Sequence, residues 1–324
     1  MAFTVETKIE NGFNKIILKD NITQTSVQVI PSCGGILHAF TVLHNGSFIN
    51  VIEQYNSAED FTDNVETKGF KSCKLSPFAC RLKNASYHFE EMQYTVDKFL
   101  LGESAIHGLL YDAQFEVKQQ EANEEKASVV LSFVYKATDA GYPFYYDCNI
   151  TYTLEKENTL HIKTEIINKD KRPIPMQDGW HPYFTFGGKI NDLELEFKSK
   201  EKIIFDDGLV PNGETIPYHK FVSLQKIGDT FLDNCFSLTF PDSISIGRKP
   251  LCVLKDPVQQ LQVEIYPDKS YPYLQLYTPP QRNSIAIENL SAIPDAFNNG
   301  IGLITLAPQT NAIFSTTYKI TPLN

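Results

Sequence analysis

The chain has 324 residues, 42% hydrophobic and 21% charged, an ordinary globular balance that excludes disorder. Lys plus Arg number 29 against 39 Asp plus Glu. The net charge of −10 would repel phosphate backbones and anionic headgroups, so nucleic-acid and membrane-surface roles are disfavoured.

In chain order, residues 118–126 are polar and Glu-rich and read as a hairpin loop. Residues 129–135 form a more continuous apolar run, expected in a sandwich core. Tyr146, Cys148, Ile150, Tyr152 and Leu154 then alternate with polar residues, the pattern of a half-buried strand. After a polar turn at 155–159, Leu160, Ile162, Thr164 and Ile166 continue the alternation, and the two runs read as an antiparallel hairpin. Similar patterns mark 193–197 and 261–265, the pair Asp206-Asp207 before Gly208 reads as a turn, and 312–320 reads as the last strand. Phe (22) and Tyr (16) are abundant and Met (3) is scarce, which favours strands, and no long stretch repeats apolar residues at i, i+3, i+4 and i+7. Gly (17) and Pro (18) punctuate the chain throughout. Many short strands with frequent turns imply an all-β fold, a large antiparallel β-sandwich. Size scaling gives about 13,500 Å² exposed when folded against about 53,000 Å² unfolded, so about three quarters would be buried. The length allows one large or two modest domains, and with no Pro/Ser-rich linker and no repeat, residues 1–324 are expected to form one.

The first eight residues show no basic segment followed by an apolar run, so no signal peptide is expected. No stretch approaches the roughly 18 apolar residues of a transmembrane helix. The six cysteines, Cys33, Cys73, Cys80, Cys148, Cys235 and Cys252, form no C-x-x-C pair. They read as scattered buried thiols in a reducing, cytoplasmic compartment.

Four segments place reactive side chains among turn-forming or aromatic residues. Arg81 ends the run Ser76 to Cys80. Alone it reads as a surface arginine in a salt bridge, or as a planar fork for sugar hydroxyls or a carboxylate. His107 precedes Gly108, which lets another backbone or a ligand come close; otherwise it is a satisfied core histidine. Asp178-Gly179-Trp180-His181-Pro182-Tyr183-Phe184 holds the only tryptophan and could form an aromatic wall beside a polar group, as sugar sites do, or a strand-end aromatic cluster. Glu288 lies inside the aliphatic run Ile285-Ala286-Ile287 and Leu290. It is either on a solvent face or a buried carboxylate raised toward general-base duty.

Together these segments resemble the aldose 1-epimerase (galactose mutarotase) family, in the family's order. Phe78-Ala79-Cys80-Arg81-Leu82 is similar to its Asn-Arg segment, Ile106-His107-Gly108 to its first His-Gly motif, and His181-Pro182-Tyr183-Phe184 to its central motif. Phe231-Leu232-Asp233-Asn234-Cys235-Phe236 resembles its aspartate segment, and Leu274-Gln275-Leu276-Tyr277-Thr278 its glutamine strand. Ile287-Glu288 followed by Pro294-Asp295-Ala296-Phe297-Asn298 resembles its closing motif, and Leu306-Ala307-Pro308 its end. The chain departs at Cys80, where the family has asparagine, at Leu109, where a second glycine is common, and at Asn234, where a histidine is common. These positions bear on sugar specificity more than on the catalytic pair.

The resemblance implies a galactose mutarotase-like supersandwich that interconverts the α and β anomers of a free aldose. It implies Glu288 as base and His181 as acid, no metal or organic cofactor, and a small sugar as the partner of a monomer or weak homodimer. His107, Arg81, Asp233, Gln275 and Trp180 would hold the sugar, with Tyr183, Phe184 and Tyr277 around it. Aliphatic neighbours would raise the Glu288 pKa and a cationic His181 would lower it. Three rivals stand beside this reading. A non-catalytic carbohydrate-binding protein would share the fold. A hexose-6-phosphate epimerase would need a basic phosphate pocket, for which Arg81 and Lys83 are the obvious residues. A metal enzyme would use His107, His181, Asp233 and Glu288, but no H-x-H or H-E-x-x-H spacing occurs. His38, His44, His88 and His219 belong to none of these motifs.

Overall fold

A computed structural model of the chain describes residues 1–241 and 249–323. Among the described residues the strands form three main antiparallel sheets. The largest runs in the order Glu116–Ala122, Lys126–Lys136, Tyr145–Glu155, Thr159–Asn168, Asn311–Pro322, Leu261–Pro267, Cys252–Asp256, Glu194–Phe197, Gln225–Lys226. The second runs Pro211–Pro217, Ser199–Phe205, Asp233–Leu238, Tyr273–Tyr277, Ile285–Leu290, Gly179–Trp180, Lys74–Leu75, and Tyr183–Phe184 also pairs with Ile285–Leu290. The third is N-terminal, from Phe3–Glu10 to Ser47–Asn50, and its first strands contact Lys126–Lys136. The helices are short, Ala58–Asn64 and Ala296–Asn299, and among the described residues no helix is long and apolar enough to cross a membrane.

The expected hairpin forms as read. Tyr145–Glu155 and Thr159–Asn168 pair from Tyr146↔Asn168 to Glu155↔Thr159, and Tyr146, Cys148, Ile150, Tyr152 and Leu154 are all buried. The strands expected at 129–135, 193–197, 261–265 and 312–320 also form, within a few residues of the expected ends. The loop expected at 118–126 is corrected. Glu116–Ala122 is an edge strand paired with Lys126–Lys136, and only 123–125 make the turn. Its mostly exposed charged residues misled the periodicity, because an edge strand can be polar on both faces and so resist pairing with other chains.

The core between the two large sheets is built from alternate side chains. Trp180 meets Tyr152 at a 6.0 Å ring separation, Phe184 meets Tyr318 at 5.4 Å, and Asn289 accepts the Thr316 hydroxyl at 2.8 Å. Each buried aromatic withdraws roughly 150–250 Å² from water, about 4–6 kcal/mol of gross hydrophobic gain. One apolar cluster extends from Phe3 to Ile320. All six cysteines are buried free thiols.

Candidate functional site

Strand alternation decides which residues of the second sheet face away from the core. All of Ile285–Leu290 is buried, yet Ile287 joins the core and Asn289 bonds to the large sheet, so Glu288 occupies the opposite face. In the same way Trp180 and Phe184 enter the core, while His181 and Tyr183 share the other face with rings stacked 5.1 Å apart. Trp180 is therefore corrected as a sugar-facing wall. Its ring lies against Tyr152 and beneath the Lys74 ammonium, 4.5 Å from the ring centre. Phe184 is likewise a core residue.

Backbone register assembles the polar groups. Cys235 pairs with Gln275, and Gln275 with Glu288, making one rung across three strands. Gln275 Nε2 donates to Asp233 Oδ1 at 3.1 Å. His181 Nε2 lies 3.4 Å from Glu288 Oε1, and the His107 ring stands edge-on to His181 with centroids 4.8 Å apart. Phe70, which the sequence reading missed, backs His107 at 4.7 Å.

His107 sits at φ +63°, an uncommon left-handed conformation held by its N–H donating to the Cys80 carbonyl at 3.0 Å. Gly108 follows at φ +77°, and a Cβ there would lie 2.4 Å from the Ser76 carbonyl oxygen. The close approach anticipated for Gly108 is thus to another backbone. Arg81 stands at the rim, paired through its backbone with Ile106, and its Nη1 donates to the Leu101 carbonyl at 3.3 Å.

Burial governs the electrostatics. It pushes the Glu288 carboxyl well above its ordinary range, and the Asp233 carboxylate adds to this. It pushes His181 down to about 4 and holds His107 well below its ordinary value, with His181 and Arg81 adding repulsion at His107. Asp233 is raised by burial, against the opposing pull of Arg81 and Gln275. Burial thus opposes the cationic His181 expected to lower Glu288 and shifts both members of the pair toward their neutral forms. Burial first, and the Glu288 carboxylate second, also keep the thiols of Cys80 and Cys235 protonated.

His107 Nδ1, His181 Nδ1, Gln275 Oε1 and Glu288 Oε2 are all buried without a partner among the described residues. Each such atom costs about 1–3 kcal/mol, so the cluster works against stability and suits a ligand rich in hydroxyls.

The sequence also gave no sign of a second polar network just behind the site. Lys74 and Asp178 are fully buried. The Lys74 ammonium donates to Asp178 Oδ1 at 2.5 Å and to the Gly179 carbonyl at 3.0 Å, and the Tyr271 hydroxyl donates to the same Asp178 oxygen at 2.6 Å. An isolated Lys in a strand segment carries no burial signal, and only the tertiary fold brings Asp178 to it.

A two-sheet antiparallel sandwich with a buried His–Glu pair on the outward face of one sheet defines this as a galactose mutarotase-like fold. The chain belongs to the aldose 1-epimerase family, whose model matches residues 15–319. Among curated proteins it is similar to the uncharacterized protein YihR of Escherichia coli strain K12, 25% identical over 242 residues, covering 72% of this chain and 73% of that protein. It superposes on a galactose mutarotase-like protein from Clostridium acetobutylicum with a TM-score of 0.86 at 16% identity, over 99% of both chains. A GalM/aldose epimerase homologue from C. elegans gives 0.81 at 20% identity, over 93% of this chain and 96% of the other. The galactose 1-epimerase of Lactobacillus acidophilus NCFM gives 0.79 at 18% identity, over 99% and 100%.

Proposed function

We propose that the protein is a mutarotase that interconverts the α and β anomers of a free aldose, with Glu288 and His181 exchanging the protons. The observation that carries this reading is the buried pair at 3.4 Å, beside other polar atoms that lack partners. Ring opening takes the proton from the C1 hydroxyl and delivers one to the ring oxygen O5, which needs a base and an acid but no cofactor. Glu288 as carboxylate accepts the first proton, and His181 as imidazolium supplies the second. His107, Asp233, Gln275 and Arg81 hold hydroxyls while the C1–C2 bond rotates, and reclosure reverses both transfers onto the other face of C1.

The carboxylate–imidazolium form and the neutral carboxyl–imidazole form carry the same number of protons. Burial favours the neutral form, which is the one left after ring opening. Sugar hydroxyls bonded to Glu288 offset the cost of the charged form before the reaction. The pair acts only in its one-proton state, so activity is bell-shaped in pH, and the acid limb lies below the ordinary histidine value of 6.5 because burial lowers His181 to about 4.

Polarimetry on freshly dissolved α-glucose and α-galactose tests the proposal. Optical rotation should relax faster with protein than without. Binding of sugar without acceleration would identify a carbohydrate-binding protein instead.

A further inference from the structure

The buried Lys74–Asp178 ion pair is joined to the Glu288–His181 pair through the backbone. Lys74 stands opposite Trp180 in the ladder, and Leu75 opposite Gly179. Just before Lys74, the Cys73 carbonyl accepts the His181 N–H at 3.1 Å, and the Ser72 N–H donates to the His181 carbonyl at 2.8 Å. On the other flank Gly179 pairs with Leu290. There the Asp178 carbonyl accepts the Ser291 N–H at 2.9 Å, and the Asp178 N–H donates to Ser291 Oγ at 2.8 Å. Leu290 ends the strand that carries Glu288. The segment bearing His181 is thus threaded between the strand of Lys74 and the strand of Glu288.

That segment has little of its own to hold it. The strand Gly179–Trp180 is two residues long, Gly179 has no side chain, and Pro182 has no N–H to donate. Asp178 Oδ1 supplies a node at this weak stretch of backbone. It accepts from the Lys74 ammonium, which also holds the Gly179 carbonyl, and from the Tyr271 hydroxyl. Tyr271 leads into Tyr273–Tyr277, whose Gln275 pairs with Glu288. Segments on both sides of the His181–Glu288 contact therefore meet at one carboxylate oxygen. Stability does not account for such a node, because apolar residues in place of both charges are often as stable. What the charges add is direction: a satisfied buried network fixes one geometry. The Lys74 ammonium lies under Trp180 on the core side, and neither Lys74 nor Asp178 has exposed surface, so neither touches a sugar.

We propose that Lys74 and Asp178 are positioning residues, which hold the His181 imidazole at its 3.4 Å distance from Glu288 for proton transfer. The role rests on the mutarotase reading and adds to it the residues that align the proton-transfer pair.

The test is steady-state mutarotation by the full chain, with α-glucose or α-galactose, whichever the wild type accelerates more. The double variant Lys74→Met/Asp178→Leu removes both charges and keeps the space filled. It should fold and lose about 10–10²-fold in kcat, the effect of a displacement of about 1 Å, with KM within about threefold of wild type. Asp178→Asn separates position from stability. Its carbonyl oxygen can still accept from Lys74 and Tyr271, and its amide nitrogen takes the place of Oδ2, which has no partner among the described residues. With the Lys74 charge unpaired it should unfold at a lower temperature, yet hold kcat within about threefold below that temperature. Wild-type kcat in the double variant, a loss confined to KM, or a kcat in Asp178→Asn as low as in the double variant overturns the positioning role and leaves the mutarotase reading standing. No acceleration of mutarotation by the wild type overturns both.

Discussion

Two buried polar clusters lie back to back around the segment 178–181, and they differ in how far their polar atoms are met. Lys74, Asp178 and Tyr271 make short, convergent hydrogen bonds, with two donors meeting one carboxylate oxygen and only Asp178 Oδ2 left without a partner among the described residues. His181 and Glu288 touch at one 3.4 Å contact and leave outer polar atoms unpaired. The first cluster meets the requirement that a buried charge be paired. The second breaks the rule that buried polar groups find partners, at the place where a ligand could supply them. The contrast separates polarity that holds the sheets together from polarity held in reserve for chemistry. It also explains how two such different clusters fit so close: strand alternation sends Trp180 to one side and His181 to the other.

The strongest test removes the reserve. Glu288→Gln and His181→Asn should each lose about 10²–10⁴-fold in kcat, the usual worth of one positioned proton transfer. Thermal stability of Glu288→Gln should hold or rise, because a poorly paired buried carboxyl is gone. Wild-type rates in either variant, followed by polarimetry, would falsify the catalytic assignment.

The structural cluster should respond in the reverse sense. Lys74→Met or Asp178→Leu alone should cost about 3–5 kcal/mol in urea unfolding, since each strands a buried charge. The double substitution should recover much of that loss. Equal destabilisation by the single and double variants would show that the ion pair itself, rather than the stranded charge, supplies the stability.

Acid should act through histidines that burial keeps neutral. Burial, assisted by Lys15, lowers His38 to about 4 from its ordinary 6.5. As pH falls below 6.5 the unfolded chain takes up a proton that the folded chain refuses, so stability is present above 6.5 and drains away toward 4. At 1.36 kcal/mol per pKa unit this amounts to at most about 3 kcal/mol for His38. His181 carries the same sign. Raised carboxyls such as Glu288 and Asp233 carry the opposite sign, protonating more readily in the folded chain. His38→Gln should flatten the fall of unfolding free energy between pH 6.5 and 4 while leaving mutarotation unchanged. An unaltered slope would assign acid lability to other groups.

The smallest effect belongs to Trp180→Phe. Trimming a core ring should cost about 1–2 kcal/mol and leave the sugar KM unchanged. A severalfold rise in KM without loss of stability would put Trp180 against the sugar after all.

Much of the architecture was readable in the order of residues. The period of two over Tyr146 to Leu154 required a strand with one buried face, because a strand's side chains alternate and water is excluded from only one side. The edge strand Glu116–Ala122 escaped notice because it buries neither face strongly, and hydrophobic periodicity is blind to a strand defined by pairing alone. The acid and base candidates His181 and Glu288 were also legible, as reactive side chains in aromatic and aliphatic settings. Their meeting was not, because they are distant in the chain and adjacent only through the sheet. Tertiary structure alone decided that Glu288 is buried, that burial shifts His181 toward its neutral form, and that Trp180 faces the core. Each of these depends on which face of a strand the second sheet covers and on how little water reaches it, and those are properties of packing that no local stretch of sequence carries.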